Sequence, residues 1–129
     1  MAPTSRREWM ARGLALAALP VLGLFGRRVL AQAPTPQVVK LVAQRFHYTP
    51  AEFRVQAGRP IVLEFTALDF VHGFNMPDLK LRADLVPGQV TIVHVAAQKP
   101  GVYEFLCDNF CGDGHEEMVG RMLVEAPAA

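Results

Sequence analysis

The chain has 129 residues, 51% of them hydrophobic and 19% charged, with 13 basic side chains against 12 acidic ones. That length allows one ordinary domain, and the apolar fraction excludes an intrinsically disordered chain. The near-neutral balance hides an asymmetry: Arg6, Arg7, Arg12, Arg27 and Arg28 stand near the N-terminus against a single acid, Glu8.

The N-terminal segment reads as an export signal. Ser5-Arg6-Arg7-Glu8-Trp9-Met10 precedes an apolar run over residues 13–26, which is followed by Arg27-Arg28 and Ala31-Gln32-Ala33. A charged start, an apolar stretch and a small-x-small site describe a secretory signal, and the early arginine pair resembles the twin-arginine type. The run is 14 residues long and contains Pro20, short of the ~20 residues that cross a bilayer. Cleavage is expected after Ala33. Residues 1–33 are then signal, 34–37 linker and 38–129 the folded domain, delivered to the periplasm without a membrane span. The product keeps 8 basic and 11 acidic residues, a net charge of −3. Such a domain has no electrostatic footprint for nucleic acid.

After the linker come short strand-like runs separated by turn residues. Residues 38–48 are rich in β-branched and aromatic side chains. Phe53 and Val55 alternate with Glu52, Arg54 and Gln56, and Ala57-Gly58-Arg59-Pro60 turns the chain. Ile61, Leu63 and Phe65 alternate with Val62, Glu64 and Thr66. Pro87-Gly88 and Lys99-Pro100-Gly101 are strong turn signals around a β-rich run at residues 90–95. Residues 102–106 lead into a cysteine loop, and residues 119–125 form a last strand. No segment of the mature part has a sustained 3.6-residue period. The pattern predicts an all-β sandwich or barrel, and about 95 residues suit one Greek-key sandwich.

The loop is Cys107-Asp108-Asn109-Phe110-Cys111-Gly112-Asp113-Gly114-His115-Glu116-Glu117-Met118. Two thiols, an imidazole and a thioether recur at spacings of four, four and three, and a second imidazole, His72, lies 35 residues upstream of Cys107. Soft sulfur with imidazole is a donor set for copper rather than for magnesium or calcium. A cysteine pair outside the cytoplasm is by default a disulfide, but His115 and Met118 at ligand spacing favour a metal. Two thiolates would offset most of the charge of two copper ions, and bound metal would hold both sulfurs deprotonated. Gly112 and Gly114 permit the tight backbone such a loop needs. His47 and His94 lack this context and read as structural or surface residues; Met76 and Met122 read as packing residues.

Cys-x3-Cys-Gly-x2-His-x2-Met, preceded by His72-Gly73-Phe74, resembles the binuclear CuA domain of cytochrome c oxidase subunit II and the C-terminal domain of nitrous oxide reductase. The resemblance runs over residues 46–125 and includes Pro87-Gly88, Lys99-Pro100-Gly101-Val102-Tyr103 and the closing residues 120–125. It implies a cupredoxin fold with His72, Cys107, Cys111, His115 and Met118 as copper ligands and the Asn109 backbone carbonyl as a sixth. It also implies a one-electron carrier serving cytochrome c or a membrane oxidase or reductase, not catalytic alone. Asn109 stands where many oxidases carry a magnesium-binding glutamate, so no magnesium is expected. The surface tryptophan that many relatives use to accept electrons has no counterpart, since Trp9 lies in the signal; Phe70, Phe74, Phe110 or Tyr103 would substitute. Asp108, Asp113, Glu116 and Glu117 crowd the loop, either as a solvated rim or as a negative ring steering a basic partner. Other readings of the same donors are a copper chaperone or storage protein, a mononuclear blue-copper carrier, a zinc site and a plain disulfide.

Overall fold

The computed structural model describes residues 30–128. The expected signal, with its arginine pairs and Trp9, lies outside them apart from residues 30–33. Among the described residues are nine strands: β1 (Gln37–Gln44), β2 (His47–Thr49), β3 (Glu52–Gln56), β4 (Ile61–Ala67), β5 (His72–Met76), β6 (Leu81–Leu85), β7 (Val90–Val95), β8 (Gly101–Leu106) and β9 (Val119–Glu125). The described helices are single 3-10 turns at Pro77–Leu79 and His115–Glu117.

The strands form two mixed sheets, ordered β2-β1-β4-β7 and β3-β9-β8-β5-β6. β1 pairs with β4 in parallel, as β3 does with β9. The other pairings are antiparallel. Alternation in the sequence explains which faces turn inward. On β4, Ile61, Leu63, Phe65 and Ala67 are buried while Val62, Glu64 and Thr66 are half-exposed; on β3, Phe53 and Val55 are buried between exposed polar neighbours. The all-β sandwich is as expected.

Five rings from five strands interlock in the core. Phe65 meets Phe74 at 4.9 Å between centroids, Phe74 meets Phe105 at 5.5 Å, and Phe105 meets Tyr48 at 5.0 Å and Phe53 at 6.0 Å. Their tilted and edge-on geometries suit the ring quadrupoles. Met76 and Met122 are buried in the same core, as expected.

The structure refines the strand boundaries. Residues 38–48 are two strands joined by a turn at Arg45 and Phe46, and β1 already includes Gln37, whose N–H donates to the Pro60 carbonyl at 2.9 Å. β5 and β6 were not anticipated as strands.

Candidate metal centre

Two connections bring the donor residues to one end of the sandwich. His72 opens β5, and Asn75 of β5 is in register with Leu106, the last residue of β8. Cys107 follows directly. The chain then loops through residues 107–118 and returns as β9, and the loop is closed by the Cys107 N–H donating to the Met118 carbonyl at 3.0 Å. Gly112 (φ +133°) and Gly114 (φ +103°) take the left-handed backbone that glycine allows. A Cβ on either would come within 3.2 Å of the Phe46 ring, so the β1–β2 turn seats directly against the loop.

The donor atoms of His72, Cys107 and Cys111 lie within 4.8 Å of one another, and all three residues are buried. Both cysteines are free thiols. The Cys107 thiol donates to the Asn109 carbonyl at 3.2 Å and its Sγ accepts the Gly73 N–H at 3.3 Å. His115 Nδ1 stands 3.8 Å from Cys111 Sγ. Met118 is buried where the loop closes. His72, Cys107 and Cys111 thus form a tight trio, with His115 beside one sulfur and the Asn109 carbonyl beside the other.

His72 supplies a direct test of whether the trio suits a metal. Its Nε2 is 2.8 Å from Asp69 Oδ1, while its Nδ1 is buried without a partner. A carboxylate oxygen accepts, so this contact calls for the proton on Nε2, and in the neutral ring that leaves the Nδ1 lone pair free. A buried nitrogen left unpaired is costly, and a metal ligand whose other ring nitrogen is held by a carboxylate has this arrangement. Burial pushes the Asp69 carboxyl up, but the Arg45 amide, the His72 ring and the Arg45 charge outweigh it and hold the group below its usual range. Burial first, then the Cys107 sulfur, pushes the Cys111 thiol up to about 11, against the pull of Arg45. Burial and the nearby Cys107, Asp108 and Cys111 also raise the Tyr48 hydroxyl far above its ordinary value. Negative charge is thus unwelcome here without a cation, and two sulfurs with an imidazole are donors that copper takes.

A family model described as a cupredoxin-like domain matches residues 15–124 of this chain. The chain belongs to the cupredoxin-like domain family. This cupredoxin-like domain is 32% identical over 97 residues to cytochrome c oxidase subunit 2 of Thermus thermophilus, spanning 75% of the chain and 72% of that relative. It is 37% identical over 92 residues to the nitrous-oxide reductase of Ralstonia nicotianae, covering 68% of the chain and 14% of the reductase. In fold it is similar to the periplasmic domain of subunit II of cytochrome oxidase of Bradyrhizobium japonicum, with a TM-score of 0.65, 19% identity, and coverage of 74% of this chain and 88% of that one. It is a cytochrome c oxidase subunit II-like cupredoxin domain.

Several residues that shape the site in this cupredoxin-like domain were not singled out from the sequence. Asp69 holds His72, and its position three residues before that histidine was the available signal. Tyr48 donates to the Gly73 carbonyl at 2.6 Å, fixing the residue whose amide meets Cys107. Arg82 donates through Nε to Asp108 Oδ2 at 2.6 Å and also pairs with Asp84 at 2.9 Å. Asp108 is therefore tied to β6, leaving Asp113, Glu116 and Glu117 as the exposed acids of the loop. Of the four aromatic residues considered for electron acceptance, Phe74 is buried in the core, and Tyr103 donates its hydroxyl to the Lys99 carbonyl at 2.9 Å. Phe110 (70% exposed) and Phe70 (41%) reach the surface beside the loop. The Phe110 ring lies 5.8 Å from that of His115. His47 and His94 are exposed, as expected.

Proposed function

We propose that this cupredoxin-like domain is a periplasmic electron carrier built on a binuclear CuA centre. His72, Cys107, Cys111, His115 and Met118 would hold the two copper ions, with the Asn109 carbonyl as the sixth ligand and both thiolates shared by the pair as donors. The observation that carries this reading is the buried trio of donors within 4.8 Å, one of them an imidazole nitrogen with no other partner. When bound, the copper pair would supply one-electron redox chemistry.

The chain's own residues set the terms for that chemistry. Asp69 fixes the His72 tautomer, and the Gly73 amide stabilises negative charge on the Cys107 sulfur. Two sheets and three connections meet at the site, which resists the rearrangement that slows electron transfer. The partner would be a redox protein such as cytochrome c, or a membrane oxidase or reductase to which the domain docks, in keeping with the subunit and reductase relatives. Export by a twin-arginine signal with cleavage after Ala33 would deliver the domain. No helix among the described residues is long and apolar enough to cross a membrane.

Metal analysis with EPR on the copper-loaded protein tests the reading. The expected result is two copper ions per chain and a hyperfine pattern from one electron shared equally by two copper nuclei. Cys107→Ser abolishes that pattern. A single copper, or a shared-electron spectrum that survives Cys107→Ser, contradicts the shared-thiolate assignment.

A further inference from the structure

We propose that Arg45 is a positioning residue of the metal centre: its side chain ties the Cys111 limb to the β1–β2 turn, where its backbone N–H, which substitution by alanine, glutamine or lysine retains, already holds the His72 limb through Asp69. Three contacts converge on it. Its backbone N–H donates to Asp69 Oδ2 at 2.8 Å, while Oδ1 of the same carboxylate holds His72 Nε2 at 2.8 Å. Its Nε–H donates to the Cys111 carbonyl at 2.7 Å. Its guanidinium lies over the Phe70 ring, 4.7 Å from the centroid. Arginine can make the last two together because the planar group donates along its edge and stacks on its face. The neighbouring Phe46 packs on Gly112 and Gly114 of the same loop.

The topology gives these contacts their significance. β1 and β2 belong to one sheet, whereas β5, β8 and β9, which carry His72 and the cysteine loop, belong to the other. Arg45 therefore bridges the two sheets at the end where the donors meet. A charge-assisted hydrogen bond to a loop carbonyl is roughly twice as strong as a neutral one, so the loop after Cys111 depends on it for its resting position. The same cation sits next to Cys111. A positive charge there favours the electron-rich state of a centre bound through that sulfur.

The loop-order part stands on the geometry alone; the redox part rests on the copper reading above. Amide hydrogen exchange on the metal-free protein tests the first. In Arg45→Ala, exchange across residues 112–118 is expected to be about tenfold faster, the loss of one hydrogen bond to a charged group, with β4 and β8 unchanged. Reduction potentials of the copper-loaded protein test the second. Arg45→Ala and Arg45→Gln lower the potential, while Arg45→Lys, which keeps the charge but loses the planar fork, speeds loop exchange and holds the potential. Should the alanine variant fail to fold, Arg45→Lys reads loop order and Arg45→Gln the potential. Unchanged exchange across residues 112–118, or a potential unmoved by loss of the charge, overturns the proposal.

Discussion

Asp69 does for His72 what the loop backbone does for Cys107: it removes orientational freedom from a donor. The imidazole is fully buried, and with the carboxylate gone its Nε2 joins Nδ1 as an unpartnered polar atom. Asp69→Ala is therefore expected to cost about 1–3 kcal/mol of stability in the metal-free protein. It should also weaken metal binding by ~10–100-fold, the usual effect of losing a partner behind a histidine ligand. Urea unfolding and competition against a copper chelator measure the two effects separately. At this scale the donors were legible because sulfur and imidazole announce their chemistry by type and spacing. Asp69, Arg45 and Arg82 were not, because a carboxylate or guanidinium in a loop looks like any solvated charge until its partner is placed. Asp108 shows the same limit from the other side. Grouped with three rim acids by sequence proximity, it instead meets Arg82, 26 residues away.

Alternation found strands with one wet face such as β3 and β4 and missed β5, which has none, while β6 alternates and was still missed. β4 and β3 read clearly because every second residue is buried. β5 is His-Gly-Phe-Asn-Met with four of its five residues buried, so it has no period of two to detect. Its cover on one side is the cysteine loop itself: a Cβ on Gly73 would run into the Asp108 carboxylate and come 3.1 Å from the Asn109 nitrogen. β6 is an edge strand reached through a 3-10 turn that ends with Lys80 in the left-handed region, φ 54°, a conformation sequence rules reserve for glycine. A different close fit joins β8 to β9, where Phe105 stands opposite Gly120 and covers it with its ring. A methyl group at Gly120 meets that ring on one side and the Ala51 carbonyl at 3.0 Å on the other. Gly120→Ala should therefore cost about 1–3 kcal/mol, the range for overpacking a core. A lower denaturant midpoint at unchanged slope would show it; an unchanged midpoint would mean that the two strands can part at no cost.

Among the described residues, the sandwich gathers its chemistry at one end. Donors, the Arg45–Phe46 turn and the exposed rings of Phe70 and Phe110 gather where the cysteine loop closes, and Asp113, Glu116 and Glu117 project from that loop into solvent. Residues 34–129 carry a net −3; released by the proposed cleavage, the domain would attract a basic partner at long range, with the exposed acids placing part of that attraction beside the candidate donors. Exposed charges of this kind act mainly on the encounter rate and are screened within a Debye length of about 10 Å at 0.1 M salt. With cytochrome c as partner, the second-order rate of electron transfer to the copper-loaded protein should fall by about tenfold or more from low to high ionic strength. Neutralising Asp113, Glu116 and Glu117 together should lower the rate at low salt and flatten that slope, while the rate at high salt stays close to that of the parent. Stopped-flow mixing across a salt series reads both. A rate independent of salt in the parent protein would show that the acids are a solvated rim and do not steer the encounter.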